Sequence, residues 1–314
     1  MCYNINMYDL IILGGGPAGT AAAVYAARKQ LKTAIIAFEF GGQSIVSELI
    51  YNWVGTPEIS GTDLAANMKK HVLYYKGPYL DVIEGEKISS VTKTENVFNL
   101  KSESGKEYTT KTILISTGSS RRKIEVPNAD VFENKGITYC ASCDGPLFAG
   151  QDVIVVGGGN AAFETSAQLL AYCKSVTMVH RSEKFRADEI TVKKIEENPK
   201  FKAITNAEIL RVDGDKFVGS LTYKDKISGE EHTIPTAAIF VEIGQIPNVD
   251  FVKNLVAIDE FGKIIVDPMT QMTSVPGIWA AGDCTNGKYH QNNIAAGDAV
   301  KALEDAYLWI HKNK

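Results

Sequence analysis

Cysteine is scarce, five in 314 residues, and the odd count leaves one unpaired however the others combine. A disulfide-stapled secreted scaffold is therefore excluded. Charge of one sign is missing too: 33 basic against 37 acidic residues leave a formal charge of −4, with a pI of ≈ 5.8. That balance offers no electrostatic footprint for wrapping DNA or pressing against an anionic membrane. The opening residues, MCYNINMYDLIILGGGP, lack a basic stretch and break their apolar run at three glycines, so they do not read as a signal peptide. A long uncharged run, residues 10–27, is punctuated by Gly14, Gly15, Gly16, Pro17 and Gly19, and reads as strand, turn and helix instead of a membrane span. The expectation is a cytoplasmic protein with neither nucleic acid nor membrane as partner. What is present is ordinary for a globular chain, 45% hydrophobic and 22% charged, at a length that suits two domains.

Two segments repeat one local plan, DLIILGGGPAGTAAAVYAARKQLKTAIIAFE at residues 9–39 and DVIVVGGGNAAFETSAQLLAYCKSVTMVHR at 152–181. Each opens with an apolar run, turns on three glycines, continues with alanine-rich helical spacing and ends in a second apolar run, which is the βαβ pattern. Residues 90–118 and 207–239 alternate polar and apolar, as antiparallel strands do. After them GIWAAGDC reads as another buried strand, followed by a helical run from about Gln291 to His311.

Gly14, Gly16 and Gly19 form GxGxxG between strand and helix, and Glu39 lies at the end of the second strand. Glycines there permit the tight turn and let backbone N–H groups approach a pyrophosphate at the helix N-terminus, while the carboxylate can bind a ribose hydroxyl. The second loop reads Gly157, Gly159, Ala162, and its second strand ends in His180 and Arg181, with Arg186 close behind. A guanidinium at that position pairs with a 2′-phosphate and favours NADP over NAD; the other reading of these arginines is a solvated surface.

Cys140 and Cys143, with Ala and Ser between, are followed by Asp144. The spacing brings two sulfurs within reach of a small-ring disulfide and lets one thiolate be stabilised by its neighbour, so such pairs are redox-active. Zinc is a rival reading, but a structural site takes four protein ligands and the chain has no second CxxC; two inert core cysteines are another. Asp144 has the chemistry to move a proton to or from a thiol, or to cap the turn that follows.

In this order, GGGPAG at 14–19, FGGQ at 40–43, Asn52 and Trp53, Ser116, Thr117 and Gly118, CASCDG at 140–145, GGGNAA at 157–162, HRSEKFRA at 180–187, Ile243 and Gly244 with Pro247 and Asn248, and AAGDC at 280–284 followed by Gln291 resemble the low-molecular-weight thioredoxin reductases. The resemblance covers nearly the whole chain. It implies an α/β fold of two Rossmann-like dinucleotide-binding domains, each of three layers (ββα), the second inserted in the first. Residues 1–118 and 249–314 would form an FAD-binding domain, and 119–248 an NADPH-binding domain carrying the cysteine pair. The implied activity passes electrons from NADPH through FAD and the Cys140/Cys143 disulfide to thioredoxin or a similar protein, in a homodimer with no metal.

The resemblance further implies that Gly14, Gly16, Pro17, Ala18, Gly19, Glu39, Gly42, Gln43, Asn52, Thr117, Gly118, Gly282, Asp283 and Gln291 face FAD, and that Gly157, Gly159, Asn160, Ala161, Ala162, His180, Arg181 and Arg186 face NADPH. Cys143 would lie against the isoalloxazine, Cys140 would attack thioredoxin, and Asp144 would serve as acid and base. A rotation of the inserted domain about residues 119–123 and 244–249 is also implied. The family pattern H-R-R-x-x-x-R has Ser182 at its second arginine here, which weakens the preference for NADPH. The stretch GDCTNGKYHQ is similar to the flavin subunits of alkyl hydroperoxide reductases. Alternatives are a ferredoxin-dependent flavin thioredoxin reductase and a non-enzymatic nucleotide-bound redox sensor. Cys2, Cys173 and Cys284 read as ordinary thiols.

Overall fold

The computed structural model describes residues 7–47 and 50–313; Cys2 lies outside them. The chain divides into two compact units, one made of the residues up to Ser120 together with those from Ile246 onward, the other of Arg121–Gln245.

The enclosing unit opens with β1 (Tyr8–Gly15), α1 (Pro17–Arg28) and β2 (Thr33–Phe40). Leu10, Ile11, Ile12 and Leu13 are all buried, as a strand covered on both faces requires. Leu10 and Ile12 pack with the alanines of α1, whereas Ile11 and Leu13 join the cluster on the opposite face, the period-2 alternation of a strand. Proline at the first position of α1 fixes φ for helix entry. Next come α2 (Gly61–Tyr74), started by Ser60 accepting the Asp63 amide in its hydroxyl, then β3 (Leu80–Glu84), β4 (Ile88–Thr94), β5 (Val97–Ser102) and β6 (Glu107–Ile115). The sheet runs β3-β2-β1-β6-β5-β4.

The sequence reading placed residues 90–118 wholly in an antiparallel layer, and here it needs correction. β6 is shared: its first half pairs antiparallel with β5, and from Thr110 onward it pairs parallel with β1. Ile113, Leu114 and Ile115 are fully buried, so the strand's end is apolar on both faces and belongs between two layers.

The chain crosses into the inserted unit in β7 (Ser119–Arg121), and continues through β8 (Ile137–Thr138), α3 (Ala141–Asp144), β9 (Asp152–Gly157), α4 (Asn160–Leu170), β10 (Ser175–Val179), α5 (Glu189–Glu196) and β11 (Phe201–Ile204). An antiparallel meander follows, β12 (Ala207–Gly214), β13 (Val218–Asp225) and β14 (Glu231–Pro235), and then β15 (Ala238–Glu242). β15 joins the parallel sheet, ordered β11-β10-β9-β15-β8, so the expected antiparallel stretch stops short of it. Val153 and Val155 face the helices while Ile154 and Val156 face the meander. Each unit is thus three layers deep around its own core.

Within the inserted unit the amide of Arg122 donates to the carbonyl of Gly244 at 3.1 Å, and in the enclosing unit the amide of Asn248 donates to Gly118 at 3.0 Å. The chain returns through β16 (Gln245–Pro247) and adds β17 (Ile278–Ala280), parallel to β6, and α6 (Asn292–Lys312), which packs on α1. Among the described residues no helix is long and apolar enough to cross a membrane.

Candidate active site

In the enclosing unit the first glycine loop lies at the C-terminal ends of the parallel strands. Gly14 has φ +114°, and an added Cβ would drive into the carbonyl of Ser116; a Cβ on Gly19 would drive into the carbonyl of Gly14. Both are glycine because backbone meets backbone. Gly16 differs: a Cβ there would find nothing nearer than Gly42 Cα at 3.9 Å. The protein's own packing does not require glycine at that point, but a pyrophosphate resting on the backbone would. No side chain caps α1 and its first turn holds no acid, so its N-terminal field is open to an anion. This open cradle fits the diphosphate of FAD.

Other residues expected at FAD gather at the same end of the unit. Gly282, with φ +79°, is wedged between Ala18 of α1 and Ala295 of α6. Asn52 Nδ2 donates to Gln291 Oε1 at 3.0 Å, Asn293 Nδ2 donates to Asn52 O at 2.7 Å, and Ser44 Oγ donates to Asn292 Oδ1 at 3.1 Å. These bonds tie the loop after Gly42 and Gln43 to the start of α6. Thr117 Oγ1 donates to the carbonyl of Asn248 at 2.7 Å. Glu39 is exposed at the end of β2.

Asp283 has a partner the sequence did not announce. Its Oδ1 lies 3.3 Å from His290 Nδ1, and His290 Nε2 lies 2.8 Å from Lys263 Nζ. An ammonium only donates, so Nε2 accepts and the ring proton sits on Nδ1, toward Asp283. His290 and Lys263 went unread because their pairing is made through space by residues 27 apart. Cys284, next to Asp283, is buried with its thiol on the carbonyls of Ile115 and Ala281. Burial pushes that thiol up to about 11, and burial likewise raises Cys173; neither is an available thiolate at neutral pH.

The second glycine loop repeats the plan inside the inserted unit. A Cβ on Gly159 would meet nothing within 4 Å, and α4 likewise starts without a side-chain cap. Ala162 is fully buried and Ala161 is exposed. Residues 180–188 fold back on the loop: the amide of Arg186 donates to Gly158 O at 2.7 Å and that of Asp188 to Asn160 Oδ1 at 2.9 Å. His180 is buried beneath Gly158, bonded through Nε2 to the carbonyl of Lys184 at 3.1 Å. Burial above all, with the charges of Arg181 and Arg186 adding to it, lowers its pKa, which makes it a neutral post under the loop. Arg181 and Arg186 are exposed, and neither is in an ion pair among the described residues.

Cys140 and Cys143 are joined as a disulfide, with Cα atoms 5.3 Å apart. Cys140 precedes α3, and its Sγ accepts the amide of Cys143 at 3.2 Å. Both cysteines are partly exposed. The hydroxyl of Thr138 donates to Asp144 Oδ2, a contact invisible in sequence because either residue alone is commonplace. Gly145 lies against Tyr172, whose hydroxyl donates to Ala141 O at 3.3 Å, fixing the turn to the unit. Among the described residues no group of three His, Cys, Asp or Glu converges as a metal ion would need.

Residues 8–299 match the family described as Pyridine nucleotide-disulphide oxidoreductase. The chain belongs to this family. Among solved structures, this oxidoreductase is similar to thioredoxin reductase from Streptococcus pyogenes, at 32% identity and TM-score 0.88, covering 98% of this chain and 99% of that one. It is also similar to thioredoxin reductase from Giardia duodenalis, at 30% identity and TM-score 0.89, over 98% and 99%. Among curated proteins it is 37% identical to an NADH dehydrogenase of Bacillus subtilis over 98% of this chain and 59% of that one. It is 37% identical to an alkyl hydroperoxide reductase component of Escherichia coli over the same shares. The chain thus spans somewhat over half the length of these curated relatives. The family and the structural likeness are those the sequence motifs implied, and the oxidoreductase carries the two Rossmann-like units expected of it.

Proposed function

We propose that this oxidoreductase reduces the disulfide of thioredoxin or a thioredoxin-like protein at the expense of a pyridine nucleotide, NADPH by preference. The observation that carries this reading is the Cys140–Cys143 disulfide, partly exposed, with a carboxyl group one residue away. These two residues are partly exposed, whereas the other described cysteines are buried thiols.

The first loop, with Glu39, Asn52, Asp283 and Gln291, would hold FAD, and the second, with Arg181 and Arg186 on a 2′-phosphate, would hold NADPH. Bound FAD would supply a two-electron relay between nicotinamide and disulfide. In the dithiol, the Cys143 amide stabilises the Cys140 thiolate. Cys140 Sγ then attacks one sulfur of the partner's disulfide; that bond breaks, a mixed disulfide forms, and the leaving thiolate takes a proton from Asp144, which Thr138 orients. Cys143 then gives its proton to Asp144 and its Sγ attacks Cys140 Sγ, re-forming the internal disulfide; the partner's second sulfur leaves as a thiolate and takes that proton, departing as a thiol. Two electrons leave the dithiol and two enter the partner.

The alkyl hydroperoxide reductase relatives support a second acceptor, a thioredoxin-like domain in a peroxide-reducing system. Arg181 and Arg186 favour NADPH, while the NADH dehydrogenase relatives and Ser182 favour NADH. One experiment tests the core of the reading. In Cys143→Ser loaded with FAD, NADPH should still bleach the flavin band anaerobically, while thioredoxin reduction falls by at least about 10³-fold, since the exchange chemistry needs both sulfurs. Retained thioredoxin turnover overturns the assignment; bleaching only by reduced ferredoxin overturns the nucleotide as donor.

A further inference from the structure

Glu242 takes no part in the chemistry above, yet it occupies the crevice of the inserted unit. It ends β15 directly opposite Gly157, the first glycine of the second loop. β9 and β15 are neighbours in the order β11-β10-β9-β15-β8, the point where that order reverses and where open α/β sheets receive their ligands. One carboxylate oxygen is held, Thr165 Oγ1 of α4 donating to Oε1 at 2.8 Å. The other has no hydrogen-bond partner among the described residues.

The charged groups facing it are Arg121, from β7, and Glu164, from α4. β9 adds none there, its Asp152 being at the strand's far end and paired with Lys174. Burial, with the negative charge of Glu164 beside it, outweighs Thr165 and Arg121 and lifts the Glu242 carboxyl to about 7.

We propose that Glu242 reads the redox state of the bound pyridine nucleotide, its carboxylate favouring the cationic oxidised nicotinamide over the neutral reduced ring. This rests on the reading that the inserted unit holds the pyridine nucleotide. The oxidised ring carries a positive charge and the reduced ring carries none, so an anion in a poorly solvated crevice attracts only the former. Above its titration range the carboxyl is ionised and discriminates; below that range it is protonated and does not. The preference for the oxidised form therefore rises with pH across neutrality.

The test uses the FAD-loaded full chain and two probes, NADP⁺ and its 1,4,5,6-tetrahydro derivative, whose ring is uncharged and gives up no hydride. Dissociation constants are measured by calorimetry at pH 6, 7 and 8, with the NAD pair run in parallel. The ratio of tetrahydro to oxidised dissociation constants should grow roughly fivefold between pH 6 and 8, as a drop in the carboxyl's pKa from about 7 to roughly 6 on binding the cation demands. In Glu242→Gln, which is isosteric and keeps an oxygen for Thr165, the ratio should be flat. A ratio flat in the wild type, or equally pH-dependent in Glu242→Gln, overturns the inference while leaving the nucleotide site standing. Binding of none of the four nucleotides by either protein overturns the site itself, and the inference with it.

Discussion

In the enclosing unit the strand after the glycine loop carries Glu39 as its next-to-last residue, whereas in the inserted unit the matching strand is followed directly by His180 and Arg181. The third loop position differs as well. At Gly19 a Cβ would drive into the carbonyl of Gly14, but Ala162 carries its Cβ fully buried. The helix therefore approaches the loop more closely in the first unit than in the second. In both, the middle glycine has room for a Cβ, which would come no nearer than 3.9 Å to Gly42 at Gly16 and would meet nothing within 4 Å at Gly159. The backbone plan is thus held constant, and the two units differ in a few side chains at the end of the second strand, where the charge changes sign; under the proposed function those side chains choose the ligand.

The strongest way to break the comparison is to fill each cradle in turn. Gly16→Val should leave the purified protein colourless, with FAD affinity down at least about 10²-fold, while Gly159→Val should keep its flavin and lose pyridine nucleotide affinity by about the same factor. That figure corresponds to two charge-assisted hydrogen bonds at about 1.5 kcal/mol each. Flavin absorbance per protein and nucleotide calorimetry read the two effects separately, and a loss of both ligands in either variant would mean that the loops are not independent.

A smaller effect sharpens the matter of charge. Arg181→Ala should raise the NADPH KM about tenfold and leave the NADH KM nearly unchanged, the loss of one charge-assisted contact. An equal rise for both would take Arg181 away from the 2′-phosphate.

The smallest effect separates the two antiparallel layers. In the enclosing unit Glu86 accepts Ser104 Oγ and Lys106 Nζ, and these hydrogen bonds, Lys106 foremost, hold its carboxyl down at about 2. A carboxyl depressed on folding stabilises above its ordinary range, near 4.5, and that contribution drains away as pH falls toward 2. Glu86→Gln should lower Tm slightly at pH 7 and make the acid limb of the Tm-against-pH curve shallower. The inserted unit's turn uses Asp225, which accepts the amides of Ile227 and Ser228 and is likewise lowered; Asp225→Asn, which keeps an acceptor oxygen, should shift that limb less.

Much of this architecture was legible because its signals are local. The two βαβ segments, their glycines and the cysteine pair each lie within about thirty residues, where periodicity and spacing carry the information. The double use of β6 was not legible, since polar-apolar alternation continues to Thr110 before burial on both faces takes over. Nor were His290 and Lys263 beside Asp283, or Thr138 beside Asp144, because those neighbours are set by how loops return. Glu242 was passed over for a related reason. Within FVEIG it reads as a single charge after an apolar run, and only the strand order puts it opposite Gly157. The burial of His180 under Gly158, which lowers its pKa, is likewise set by the fold and not by the local sequence.

The inserted unit begins and ends on the same hydrogen bond, from Arg122 to Gly244, and the chain that surrounds it is stitched at Gly118 and Asn248. Excision would leave two stubs already touching, for which a linker of a few residues should suffice at little entropic cost. The middle segment is therefore a cassette. Under the proposed function, a graft of it between homologous scaffolds should carry the pyridine-nucleotide preference and the sulfur pair along together.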